Sequence, residues 1–156
     1  MPKELLSQTK VMILLLVIFL ASSWSLFQPQ FFRVHDYTHA ARIVEMTEAL
    51  RQGQFPARWV SNLGYGFGMP LFEFYAPLPY YVGALWYWLG IDLVITIKLL
   101  MLTANAGTVI GAYLLAKTFV TAHRQAAGVL TSVAVTLAPY RAVNLFVRGA
   151  LAEVGA

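Results

Sequence analysis

The chain has 156 residues, 59% of them apolar and 12% charged, with no Cys and a formal charge of +4. That is too apolar for a soluble domain of this length, and it excludes disordered, collagen-like and coiled-coil chains. Without Cys there are no disulfides, Cys-based zinc sites or thiol nucleophiles, and the eleven scattered Lys and Arg form no stripe for nucleic acid. The composition predicts an all-α integral membrane protein.

The first apolar block, residues 11–27, follows Lys3 and Lys10 and carries Trp24 near its far end. At about 17 residues it reaches the lower limit for a spanning helix. A signal peptide shares the basic start, and Ala21-Ser22-Ser23 is a passable cleavage site. The block reads as an uncleaved anchor with a cytoplasmic N-terminus.

An external loop is predicted over 28–92, holding Asp36, Glu45, Glu48 and Glu73 together with His35 and His39. Residues 36–52 read as a helix with Asp36 as N-cap and Gly53 just past its end. At helical spacing Asp36, His39, Ile43, Met46 and Leu50 share one side, and Arg42, Glu45, Glu48 and Arg51 a more polar one. That pattern suits a helix on the membrane surface.

A second surface helix is predicted over 77–89. It is too short to cross, and Tyr80, Tyr81, Trp86, Tyr87 and Trp88 favour the headgroup level.

Spans are then predicted over 93–119, with Lys98 snorkelling near its start, and over 126–146, interrupted by Pro139 and Arg141. Three crossings, at 11–27, 93–119 and 126–146, leave the basic turn 117–124 inside, as the positive-inside rule requires. Three spans enclose little interior, so the chain reads as the front end of a larger protein or a subunit completed by partners.

Asp36 and His39 stand three apart, so both can point at one ligand, the carboxylate as general base or metal ligand. The plainer alternative is a helix cap beside an interfacial polar residue. The run Leu63-Gly64-Tyr65-Gly66-Phe67-Gly68-Met69-Pro70 is no phosphate loop, because no Gly-Lys-Ser/Thr follows. Its Gly-Tyr-Gly is similar to a potassium filter, but Asn62-Leu63 stand where a filter has Thr-Val. A loop that uses glycine for backbone freedom is left.

Glu73 lies in an apolar run, where a charge is costly unless paired. It is a functional candidate, or else a headgroup-level Glu paired with an Arg of the same loop. Arg141, Arg148 and Glu153 follow the third span and are expected on the external face, where an Arg fork matches phosphate oxygens.

Taken in order, these motifs resemble a known family. They are His35-Asp36-Tyr37-Thr38-His39, Gly53-Gln54-Phe55-Pro56-Ala57-Arg58-Trp59, the glycine run leading to Glu73, Pro77-Leu78-Pro79-Tyr80-Tyr81, and Arg148 through Glu153. The chain resembles the N-terminal part of bacterial GT-C membrane glycosyltransferases, closest to the group labelled 6-pyruvoyl-tetrahydropterin synthase-related membrane proteins. Protein O-mannosyltransferases and lipid A aminoarabinose transferases are relatives of that group.

The resemblance implies an inner-membrane enzyme that moves a sugar from a polyprenyl-phosphate donor to an acceptor at the outer face. It implies catalytic roles for Asp36 and Glu73, which could also hold a divalent metal ion. Arg148 and then Arg58 would meet the donor phosphate, with His39 and Glu153 completing the binding set. The Asp-Glu pair of mannosyltransferases is Asp36-Tyr37 here, a departure that bears on the acceptor. Family members are longer, so the 156 residues alone are expected to be inactive. The competing expectation is a non-enzymatic membrane subunit or scaffold whose external loop binds a partner or anionic lipid.

Overall fold

The computed structural model describes residues 6–29 and 38–149. Among these residues the fold is all-helical, with one isolated bridge between Val60 and Met69 and no strand.

The first helix, α1, spans Gln8–Ser22, and a 3₁₀ turn, Trp24–Phe27, continues it. The Ser7 hydroxyl starts it by accepting from the Lys10 N–H at 3.4 Å. Met12, Ile13, Leu16 and Val17 are exposed while Val11 is buried, so the helix has no polar face to give to water.

Three helices form in the loop: α2, His39–Arg51; α3, Leu71–Phe74; and α4, Leu78–Trp88. Past the end of α2, Gly53 turns left-handed at φ +81°, and Gln54 N–H reaches back to the Ala49 carbonyl at 3.0 Å. Gly90 does the same after α4, at φ +87°. Both are glycine stops that satisfy the last carbonyls.

The start of α2 differs from the expected one: Thr38, not Asp36, holds the N-cap position, with no side-chain capping bond. Asp36 lies outside the described residues.

The polar side of α2 is also not wet. Arg42 is 8% exposed and Glu45 5%, because α4 covers one side of the helix and the chain from Ala57 to Phe72 folds over another. Only part of the outer surface of α2, at Val44 and Arg51, is exposed.

Helix α5 spans Leu93–Phe119, the residues predicted for the second span. Asp92 caps it by accepting from Val94 N–H at 2.9 Å and Ile95 N–H at 3.3 Å. Among the described residues it is the one unbroken helix long and apolar enough to cross a membrane. Lys98, buried near the start of α5, donates to the Gln28 and Pro29 carbonyls at the end of the first apolar block.

Helix α6, Arg124–Thr136, doubles back along α5 after a left-handed His123. Gly128 lets the two approach: a Cβ there would lie 2.5 Å from the Tyr113 ring. Ser132 Oγ then donates to the Val109 carbonyl at 2.8 Å.

The predicted span 126–146 is not one rod. Helix α7, Pro139–Ala142, and a π-helical turn, Val143–Arg148, leave α6 at 51°. Pro139 has no N–H to continue the ladder, and it holds Ala138 extended at ψ 130°.

Candidate functional site

Helices α2 and α4 and the turn after the π-helical segment meet around His39 and Tyr80, which are both buried. Arg42 Nη1 donates to Tyr80 Oη at 3.1 Å, and Tyr80 Oη lies 3.0 Å from His39 Nδ1. His39 Nε2 meets the carbonyl of Gly149. A carbonyl only accepts, so Nε2 carries the proton, and in a neutral imidazole Nδ1 is then the acceptor for the Tyr80 hydroxyl. The bonds run one way, from Arg42 through Tyr80 and His39 to Gly149.

The spacing of the two helices makes this possible. His39 and Arg42 stand three apart on α2 and both face α4, where Gly83 lets Ile43 within 3.0 Å of where a Cβ would be. Phe72 packs on the Tyr80 ring at 5.7 Å, and the Arg42 guanidinium lies 4.0 Å over the Tyr75 ring. Those contacts bring α3, with Glu73 on it, to the same end of α4.

Glu73 pairs with Arg58, Oε1 to Nε at 3.1 Å, with both side chains exposed. Such a surface pair contributes at most about 1 kcal/mol. The structure thus joins two of the predicted site residues, as the headgroup-level reading of Glu73 had it. Arg148 is exposed on the π-helical turn and donates to Asn144 Oδ1 at 2.8 Å, one residue before the Gly149 that His39 holds. Asp36 and Glu153 lie outside the described residues. Asp36, the partner expected to share a metal ion with Glu73, is outside the described residues, and among those residues there is no group of three or more His, Asp or Glu that could hold one.

Arg141 is not at an end of the bundle, where it was expected. Its Nη2 donates to Asn105 Oδ1 at 3.1 Å and Thr108 Oγ1 at 2.6 Å, midway along α5. Asn105 in turn donates to Ser22 Oγ at 2.8 Å and Ser23 Oγ at 2.7 Å. The bend at Pro139 turns α7 back toward α5, and a guanidinium among apolar helices settles on the acceptors in reach.

Sequence reasoning missed Asn105, although an amide in the middle of a 27-residue apolar helix is itself a signal of pairing. It also missed Arg42 and Tyr80, which local pattern placed on a polar face and in an aromatic belt. It missed the loop anchor as well: Glu45 accepts from Asn62 Nδ2 at 2.9 Å and Asn62 N–H at 3.3 Å. Compared with protein-family models, with curated proteins and with solved structures, the chain matches none.

Proposed function

We propose that the chain is the N-terminal part of a membrane glycosyltransferase that takes a sugar from a polyprenyl-phosphate donor at the outer face of a bacterial inner membrane. In this reading α1 with its 3₁₀ turn, α5, and α6 with α7 make three crossings, and the N-terminus is cytoplasmic. The 15 residues of α1 and four of the turn add up to about 30 Å, the thickness of a hydrocarbon core.

The observation that carries the reading is the bond from His39 to Gly149. It joins the start of α2, three residues after Asp36, to the turn that bears Arg148. A transferase of this kind needs a carboxylate to activate the acceptor and a guanidinium to receive the leaving phosphate, and a bond between the segments next to each supports drawing both from distant parts of the chain. Arg42, Tyr80 and His39 fix that junction from behind. A divalent metal ion held by Asp36 and Glu73 belongs to the same proposal.

Transfer of a radiolabelled sugar from a polyprenyl-phosphate donor, in membranes carrying the full reading frame, tests it. Asp36→Asn should cut turnover at least about a hundredfold, the effect of losing a general base, with donor binding little changed. Arg148→Ala should weaken donor binding instead. Arg51→Gln, exposed on α2, is the control. Equal turnover in Asp36→Asn and Arg51→Gln would sink the proposal.

One observation favours a second reading, a scaffold whose loop binds a partner or anionic lipid. Tyr65 (102%) and Phe67 (88%) stand fully exposed on the glycine loop, which the Val60–Met69 bridge holds in shape. Loss of vesicle binding in Phe67→Ser, with transfer undetectable in the parent, would favour it.

A further inference from the structure

Three helices come together at the turn after α5. Gln125 Nε2 donates to Gln8 Oε1 at 3.0 Å, which sets the start of α6 beside the start of α1. Arg124 folds back on α5, its Nε and Nη2 donating to the Lys117 carbonyl at 3.0 and 2.8 Å. The Lys117 ammonium lies 4.9 Å over the Tyr113 ring, and Tyr113 packs with Val11, the neighbour of Lys10. Lys10, Lys117 and Arg124 thus reach one end of the bundle from three helices, with Lys10 and Arg124 exposed.

No carboxylate meets them among the described residues. Asp92 stands at the far end of α5, and Glu45, Glu48 and Glu73 belong to the segment before α4. The sequence has no Asp or Glu between Glu4 and Asp36 or between Asp92 and Glu153. Lys3 and Glu4, outside the described residues, cancel in charge. Cations gathered in this way repel one another unless an anion joins them.

The same three helices are apolar on the outside within two turns of the cations. Met12 on α1, Leu114 and Leu115 on α5 and Leu130 on α6 are all exposed. A partner must therefore carry its anion directly above hydrocarbon, which is the build of a phospholipid and not of a nucleic acid.

We propose that this end of the bundle binds the headgroup phosphate of an anionic phospholipid between Lys10, Lys117 and Arg124. The Tyr113 ring holds Lys117 and the Lys117 carbonyl holds Arg124, so both cations are in place before the lipid arrives. Arg124 Nη1 donates to nothing among the described residues and is left for a phosphate oxygen. The proposal rests on the reading of α5 as a crossing; it depends neither on sugar transfer nor on the orientation of the chain.

The test uses the whole chain with a bimane dye at Ala122→Cys, exposed on the turn of a chain without other Cys, in phosphatidylcholine vesicles. The probes are phosphatidylglycerol and phosphatidylcholine, each spin-labelled high on an acyl chain to quench the dye. Half of the fluorescence should be lost at about a fivefold lower mole fraction of the phosphatidylglycerol. Lys117→Gln and Arg124→Gln together should abolish that preference. Arg124→Lys loses the forked bonds to the Lys117 carbonyl but keeps the charge, and should retain most of it. Lys10→Gln, exposed on α1, should lower the preference without touching the turn, and Arg51→Gln on α2 should leave it unchanged.

Equal quenching by the two lipids overturns the proposal, as does a preference that survives the double substitution. Loss of the preference on adding millimolar glycerol 3-phosphate assigns the cations to a soluble phosphate and also overturns it. Quenching by neither lipid places the turn away from the bilayer and overturns the crossing of α5 as well.

Discussion

Glu45 and Gly68 hold the loop that covers α2, each for a different reason. The Glu45 carboxylate is buried and accepts two bonds from Asn62. Glu45→Gln replaces one accepting oxygen with a donor that faces a donor. The expected cost is about 1–3 kcal/mol, read as a lower melting temperature in detergent, and an unchanged melt would mean the two bonds carry no net stability. Gly68 has φ +77°, and its Cβ would lie 2.5 Å from Trp59 Nε1. Gly66 has φ +86° but open space around it. Ala at either position strains the backbone by ~1 kcal/mol, so any larger loss in Gly68→Ala measures the Trp59 contact. Equal melting temperatures for the two variants would remove that contact from the account. Helical spacing groups Glu45 with Arg42, Glu48 and Arg51, but Arg42 turns with His39 toward Tyr80, Glu45 toward Asn62, and Arg51 to the outer surface. Whether that face is wet depends on residues 57–72 folding over it, and no local pattern carries that.

The ends of several helices were legible because they rest on neighbouring residues, though the start of α2 was not. Gly53 and Gly90 supply left-handed stops, Asp92 caps α5, and Pro77 sits just before α4. The first apolar block was legible as a block but not as a helix followed by a tighter turn. Pro139 was visible as an interruption, yet its consequence, a 51° bend that aims Arg141 at Asn105, is a tertiary fact. The bend has two candidate causes, the proline ring and the Arg141 bonds. Pro139→Ala separates them. Spin labels at Leu130→Cys and Val147→Cys, both exposed in a chain without other Cys, report the distance across the bend. If proline imposes it, the backbone separation should lengthen in Pro139→Ala toward about 26 Å, the span of 17 residues of straight helix. If the distance holds, the bonds from Arg141 to α5 keep the bend, and Arg141→Gln should then release it.

At the scale of the whole molecule the open question is how many times the chain crosses, and α4 decides it. Its 11 residues span only about 16 Å, half a hydrocarbon core. One face, Tyr80, Gly83 and Ala84, is buried against α2 and α5, and the opposite face, Leu78, Leu85 and Trp88, is exposed and apolar. A helix this short with one protein face and one apolar face fits the membrane boundary, its aromatic rings at headgroup depth. If α4 stays on one side, α1 and α5 run in opposite directions and the 28–92 loop lies outside. The turn after α5, with Lys117, His123 and Arg124, then falls inside, where basic residues concentrate. Arg124 donates twice to the Lys117 carbonyl, at 3.0 and 2.8 Å, so that turn is a fixed feature of the α5–α6 hairpin. Ser61 on the loop and Thr121 on the turn are both exposed. Single Cys substitutions there should react with an impermeant maleimide in intact cells at Ser61 only, and at Thr121 only after the membrane is opened. Labelling of Thr121→Cys from outside would mean that α4 crosses, which would invert α5 and α6 and place the basic turn on the face opposite to the one its charge favours.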